Sequence, residues 1–384
     1  MAIDLTQTLA DLVRIPSVNP MGRTDLPADI LFEPRVTAYL EARLRGLGCS
    51  PRRQTVLPGR DNLITVYEPP TPPPFTVIFE CHQDTVPVDG MVVEPFGGKV
   101  DGGKLFGRGA CDVKAGATVM LAAFARLVQE KPAGSARVIL AYTADEEHTF
   151  LGVQELVKHD LVADYAIVAE PTLLNIVRAH KGVVRWVIET PGRACHSSRP
   201  ENGVNAIYRM GRLLAAIEAY AADLHARTPD PLLGPRTISV GRILGGVSAN
   251  TVPDVCRIDV DRRLVPGESA SDAGRDLESF LKGFAGIDFP FALKESHTPC
   301  QPLSPGLSGP LVSRLGRAID SVVGHHEVQV VPFGTDASTI ARAGIPAVVF
   351  GPGDIAQAHT KDEWIDLAQL EPAAEILYRF ALGT

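Results

Sequence analysis

The sequence contains no apolar run long enough to cross a bilayer as a helix, so its 384 residues do not read as a helical membrane protein. Its start, Met1-Ala2-Ile3-Asp4-Leu5, carries neither a basic segment nor a long apolar one. No secretory signal is therefore expected, and a cytoplasmic location is. There are six cysteines, Cys49, Cys81, Cys111, Cys195, Cys256 and Cys300, and none form a C-x-x-C pair. That spacing argues against a zinc finger or a dithiol redox motif and is too sparse for a disulfide framework. Free thiols in a reducing compartment are the simplest reading. Positive charge is in deficit: 37 Lys and Arg against 45 Asp and Glu give a net charge of −8. This argues against a nucleic acid or an anionic membrane as the main partner. No G-x-S-x-G is found, which counts against a serine hydrolase. The dinucleotide fingerprint G-x-G-x-x-G is absent too. Residues 98–104 match G-x-x-x-x-G-K, but Leu105 stands where Ser or Thr should hold magnesium, and the stretch reads as a turn. There is no internal repeat and no low-complexity tail.

What is present is an ordinary globular composition, 45% apolar and 21% charged, with a length that suggests two domains. Helical spacing covers residues 3–14 and 36–47. Strands are expected at 62–67 and 76–81, and the Pro-rich 68–74 between them suggests a hairpin connection. A long apolar helix follows at 115–129, then strands at 137–142 and 165–169. From 175 onward the texture becomes α+β: paired strands 175–180 and 182–189, a helix 203–223, strands 236–244 and 254–260, a helix 270–283 and a strand 289–295. This reads as an inserted second domain, residues 176–298. The α/β pattern then returns, and 1–175 with 299–384 forms the first domain. Its returning elements are a helix 309–322, a strand 328–331, a helix 337–342, a strand 346–350 and a closing helix 366–381.

Titratable residues gather at strand ends. The strand 137–142 runs into Asp145-Glu146-Glu147. Adjacent carboxylates repel, and burial makes that worse. A cation resolves the conflict, with one carboxylate binding it and its neighbour handling a proton. A solvated acidic turn is the plainer alternative. The strand 76–81 runs into His82-Gln83-Asp84, where alternation puts imidazole and carboxylate on one face. Asp112 sits in a Gly-rich stretch just before a helix, as an N-cap or as a carboxylate shared between two ions. Glu170 follows another buried strand, and His359 lies in a loop after the strand 346–350. Open α/β sheets bind their ligands at the C-terminal edge of the strands, so His82, Glu146, Glu147 and Glu170 are expected to converge on one rim.

The ordered set of Cys81-His82-Gln83-Asp84, residues 107–116, Asp145-Glu146-Glu147, Ala169-Glu170-Pro171, Ala194-Cys195-His196-Ser197 and Ala358-His359 resembles the M20 family of metallopeptidases over nearly the whole chain. That group holds acetylornithine deacetylase, succinyl-diaminopimelate desuccinylase, aminoacylase-1 and carboxypeptidase G2. The resemblance implies an α/β fold with a mixed-sheet, zinc-peptidase-like catalytic domain and an inserted α+β lid and dimerisation domain. It implies two Zn(2+) per subunit, with Co(2+) as an in-vitro substitute: His82, Asp112 and Glu170 on one ion, Asp112, Glu147 and His359 on the other. A water shared by the ions would attack, Glu146 would be its general base and Asp84 would orient His82. The peptide after Asp112 is expected to be cis. His196 would stabilise the oxyanion in a partner subunit, and Asn250, Arg263, Gly334 and Thr335 would contact substrate. Arg262 is a close rival to Arg263. The implied activity is hydrolysis of the amide bond of an N-acyl amino acid bearing a carboxylate. Acetylornithine deacetylase comes first among the members, with a desuccinylase, dipeptidase or carboxypeptidase as alternatives. A non-catalytic metal-binding scaffold and a serine hydrolase are the rivals from other classes. Two departures from the family pattern stand out: Cys81, where glycine is common, and the long loop 19–33.

Overall fold

The structure is a computed structural model that describes residues 3–158, 161–295, 300–306 and 308–383. The expected domain boundary at 298–299 lies outside the described residues. The chain divides into two compact units, one made of Met1–Arg178, Pro305–Gln329 and Thr335–Thr384, the other of Ala179–Ser304 and Val330–Gly334.

In chain order the first unit begins with α1 (Leu5–Arg14) and α2 (Pro34–Gly46), then β1 (Arg52–Leu57), β2 (Arg60–Tyr67) and β3 (Thr76–His82). A short ribbon of β4 (Lys99–Asp101) and β5 (Lys104–Phe106) precedes α3 (Ala115–Glu130). Then come β6 (Arg137–Thr143), α4 (Leu151–Leu156), β7 (Tyr165–Val168) and β8 (Ile176–His180). The second unit holds β9 (Gly182–Pro191), β10 (Cys195–His196), α5 (Ala206–Ala226), β11 (Thr237–Gly245), β12 (Thr251–Val252), β13 (Val255–Leu264), α6 (Ala270–Gly283) and β14 (Ala292–Glu295). The chain closes with α7 (Gly309–Val323), β15 (Val328–Val331), α8 (Ala337–Arg342), β16 (Ala347–Val349), β17 (Trp364–Asp366) and α9 (Leu370–Leu382).

The large sheet is mixed, with strand order β1-β2-β6-β3-β7-β16-β8-β15. Its centre is parallel: β6 with β3, β3 with β7 and β7 with β16. Strands buried on both faces read as continuous apolar runs, and β3 and β6 do so. Val77, Phe79 and Cys81 of β3 enter the core cluster shared with α1, α2, α3, α7 and α9. Ile78, Glu80 and His82 alternate to the opposite face. There α4 packs on β1, β2 and β6, and α8 packs on β7 and β16. Gly116 lets α3 approach the sheet closely, since a Cβ there would lie 2.7 Å from the Cβ of Ala169.

Two expected pairings are different in the structure. The strands flanking residues 68–74 do not form a hairpin. β6 lies between β2 and β3, antiparallel to the first and parallel to the second. The Pro-rich link therefore spans two strand spacings, about 10 Å, which an extended stretch manages easily. Likewise β8 and β9 do not pair: β8 joins the large sheet and β9 the four-stranded one.

The second unit's sheet has order β11-β13-β9-β14 and is antiparallel throughout. Trp186, Ile188, Cys256, Ile258 and Val260 face α5 and α6 in its core. α5 and α6 start on side-chain caps, Asn205 accepting from the Tyr208 amide and Ser269 from the Asp272 amide.

Candidate metal centre

Because β3, β6, β7 and β16 run parallel, their C-terminal ends share one edge of the sheet. His82 ends β3, Glu146 and Glu147 follow β6, Glu170 follows β7, and His359 lies in the segment after β16. Asp112 comes from the loop before α3, where the Asp112–Val113 peptide is cis. It is not a helix cap: α3 begins after Lys114 without a side-chain cap, and the Asp112 carboxylate turns to the histidines instead. His82 Nε2 lies 3.1 Å from Asp112 Oδ1 and 4.0 Å from Glu170 Oε1. His359 Nε2 lies 3.3 Å from Asp112 Oδ2 and 3.2 Å from Glu147 Oε2.

Two groups thus form around one shared carboxylate: His82, Asp112 and Glu170, and Asp112, Glu147 and His359, with ligand atoms within 4.8 Å of one another in each. The test of whether these residues fit a metal lies in His82. Its Nδ1 donates to the backbone carbonyl of Asp84 at 3.0 Å. That fixes the tautomer and turns the Nε2 lone pair toward a carboxylate oxygen. Two acceptors 3.1 Å apart require a positive charge between them, and a divalent cation or a proton supplies it. Two imidazoles with three carboxylates form a donor set that suits a hard or borderline divalent ion.

The electrostatics of the bare chain carry the same strain. Burial, then the nearby Asp112, pushes Glu147 and Glu170 above the usual carboxylate range. Burial alone would lower the histidines. Hydrogen bonds to Asp112 outweigh it, lifting His82 well above its ordinary value and His359 to about 11. Glu146 is 8% exposed. Burial, with Glu170, Asp336 and Glu147 adding repulsion, raises its carboxyl well above the normal range, and His82 pulls the other way.

The pattern described as peptidase family M20/M25/M40 matches residues 78–383. The chain belongs to this family. Its sequence is 32% identical to an acetylornithine deacetylase from Myxococcus xanthus over 357 residues, covering 91% of this chain and 92% of that one. Its fold is similar to an M20-family metallo-carboxypeptidase from Sulfolobus solfataricus, with a TM-score of 0.80 at 19% identity and 99% of both chains covered. It is also similar to a dinuclear metal binding peptidase of the M20 family from Bacillus subtilis, with a TM-score of 0.69 at 16% identity, covering 98% of this chain and 96% of that one. As a member of the M20 family, the protein is a hydrolase of amide or peptide bonds.

Asp84 meets His82 through its backbone: its carbonyl accepts the Nδ1 proton at 3.0 Å, and its carboxylate Oδ1 lies 3.7 Å from the same nitrogen. That carboxylate accepts the backbone amides of Glu146 at 3.1 Å and Glu147 at 3.2 Å. It therefore holds the turn that carries both glutamates. The loop 19–33 reaches the same turn. Asn19 Nδ2 donates to Asp84 at 2.8 Å and to Asp145 at 2.9 Å. Buried Arg60 joins Glu33 to Asp145, with Nη1 2.8 Å from Asp145 Oδ1. Sequence patterning gave no sign of Asn19, Glu33 or Arg60, because each is distant in sequence from the residues it touches. Cys81 is fully buried, its thiol facing the carbonyls of His82 and Val113, a small filler beneath the site.

The other expected residues lie in the second unit, except Thr335, which belongs to the first. β10 pairs with β12, with His196 opposite Thr251, and the Ser197 amide donates to the Asn250 carbonyl at 3.0 Å. This brings His196 and Asn250, both exposed, onto one ribbon. On β13, Arg262 has a fully buried side chain bound to Glu268. The Arg263 side chain is 29% exposed on the opposite face and contacts Asp261. Only Arg263 is therefore open to a ligand. Gly334 packs on Cys300, where a Cβ would lie 2.7 Å from Sγ. Thr335 is fully buried, its hydroxyl accepting the Ala337 amide.

Proposed function

We propose that the protein is a di-zinc amidohydrolase that removes the acyl group from an N-acyl amino acid, in the manner of acetylornithine deacetylase. The observation that carries this reading is the pair of ligand groups sharing Asp112, with buried Glu146 beside them. The 32% identity to an acetylornithine deacetylase supports the substrate class.

In this reading His82, Asp112 and Glu170 would hold one cation, and Asp112, Glu147 and His359 would hold the other. Two divalent cations bound there supply the charge that acidifies a water and polarises the scissile carbonyl. Glu146 takes the proton from the attacking water and passes it to the departing nitrogen. Its buried, repelled carboxylate favours accepting that proton. Asp84 keeps Glu146 and Glu147 in place through their amides. The products are the free carboxylate of the acyl group and the amino acid.

The second unit is the lid in this reading. Arg263 grips the substrate carboxylate, Asn250 and the Gly334-Thr335 wall flank it, and His196 meets the oxyanion across a homodimer. Exposed apolar residues on the sheet-edge strand β11, in the segment after it and at the start of α5 support self-association through this unit: Ile243 and Leu244, Val247 at 87% and Tyr208 at 74% exposure. No helix among the described residues is long and apolar enough to cross a membrane, and a cytoplasmic location is part of the proposal.

The test is amine release by zinc-loaded protein across N-acetyl and N-succinyl amino acids and dipeptides, beside a chelator-treated sample. Chelator-sensitive release from N-acetylornithine is the expected outcome. Selective cleavage of succinylated substrates or dipeptides would reassign the substrate, and silence across the panel with two zincs bound would overturn the activity.

A further inference from the structure

β17 pairs antiparallel with β5, with Trp364 opposite Phe106 and Ile365 opposite Leu105. This register brings Glu363 beside Gly107, whose amide donates to the Glu363 carbonyl at 3.0 Å. The Glu363 side chain is fully buried. Among the described residues, its carboxylate accepts from donors at 108–112, the stretch that carries Asp112. Oε1 accepts the amides of Cys111 at 2.9 Å and of Asp112 itself at 3.0 Å. Oε2 accepts the amide of Gly109 at 2.9 Å and Arg108 Nη1 at 2.7 Å. Gly109 has φ +82°, a left-handed conformation that lets the loop curl around the carboxylate. Arg108 then reaches back through Nη2 to the carbonyls of Pro87 at 3.1 Å and Thr360 at 3.3 Å. Thr360 is the neighbour of His359.

We propose that Glu363 is a positioning residue for the metal centre. One buried carboxylate with its guanidinium partner fixes the backbone of the bridging ligand Asp112 and the backbone beside His359 in a single register. The proposal rests on the assignment of Asp112 and His359 as ligands. Losing a group that orients a metal ligand typically costs about 10- to 100-fold in metal affinity. The geometry requires an anion that only accepts. In an isosteric glutamine, the NH2 group would face amide or guanidinium donors and lose contacts that are charge-assisted in the native chain. A shorter aspartate keeps the charge but withdraws its oxygens by one methylene.

The test uses the full chain and its Glu363→Gln variant. Zinc affinity is measured by competition with a chromogenic chelator, beside kcat, KM and a thermal melt. Zinc binding about 10- to 100-fold weaker is expected, with a lower kcat at saturating zinc and an unchanged KM. Glu363→Asp should recover part of the affinity. If the glutamine variant does not fold, the aspartate variant carries the test and should itself bind zinc more weakly than the native chain. A variant that melts earlier but keeps native zinc affinity and kcat would reduce Glu363 to a structural staple and overturn the proposal. A native chain that binds no zinc would instead overturn the reading of the site, and the clamp with it.

Discussion

His359 Nε2 lies 3.3 Å from Oδ2 of Asp112, the oxygen opposite to the one that faces His82. One carboxylate thus belongs to both ligand groups, and the two sites should fail together when it is removed. Asp112→Ala should abolish tight binding of both zincs, whereas His82→Ala should weaken one and leave the other measurable. Metal content after dialysis against a competing chelator separates the two cases. An Asp112→Ala protein that keeps two zincs would contradict a shared ligand.

Among the described residues Glu146 belongs to neither ligand group, yet it is buried and feels the charges of His82, Glu170 and Glu147. Glu146→Gln should keep two zincs while kcat falls by about 10²- to 10⁴-fold, the usual share of a general base. Stopped or initial-rate assays on the metal-matched protein would measure it. Turnover within a few-fold of native would remove Glu146 from the proton transfer.

Metal uptake should release protons at neutral pH. Hydrogen bonds to Asp112 and Glu147 outweigh burial and lift His359 in the metal-free chain to about 11. His82 is raised in the same way by Asp112 and Asp84 against its burial. His359 therefore carries a second ring proton at pH 7 in the metal-free chain, and a ligand imidazole must be neutral. The sign follows: zinc affinity should climb as pH rises from 6 to 8. The stability that protonated His359 gives the metal-free chain is fully present below the ordinary histidine value, about 6.5, and fades as pH approaches about 11. Titration calorimetry in buffers of different ionisation enthalpy counts the protons. A count of zero would contradict the account.

Arg60 is the buried cation between Glu33 and Asp145, its side chain 8% exposed. Arg60→Met leaves two buried acids without their partner and should cost about 3–5 kcal/mol in urea unfolding. Arg45→Ala, which removes an exposed pair with Glu41, should cost no more than about 1 kcal/mol. Equal effects would mean that the Arg60 network is not the buried support of the Asp145-Glu146-Glu147 turn that the distances describe.

Much of this architecture is legible in the sequence. Apolar runs ending in His82, Glu146 or Glu170 mark buried parallel strands, and a parallel sheet has one ligand edge. What patterning missed has physical causes. Periodicity assigns β2 and β3 as strands but not their neighbours, so the insertion of β6 between them was invisible. Alternation separates Arg262 from Arg263, but it does not say which face of β13 meets α5 and α6. Asp84 and His82 are close in sequence, yet either the carbonyl or the carboxylate of Asp84 can take the imidazole proton. Glu363 gave no signal because its partners lie more than 250 residues earlier.

The most direct test of the central claim is reconstitution. Metal-free protein is titrated with zinc while acetate release from N-acetylornithine is followed. The account predicts no turnover without metal and a rate that saturates by about two zincs per chain, as two ligand sites around one carboxylate require. Full turnover by the metal-free chain, or zinc bound at both sites with no turnover of any N-acyl amino acid, would contradict it.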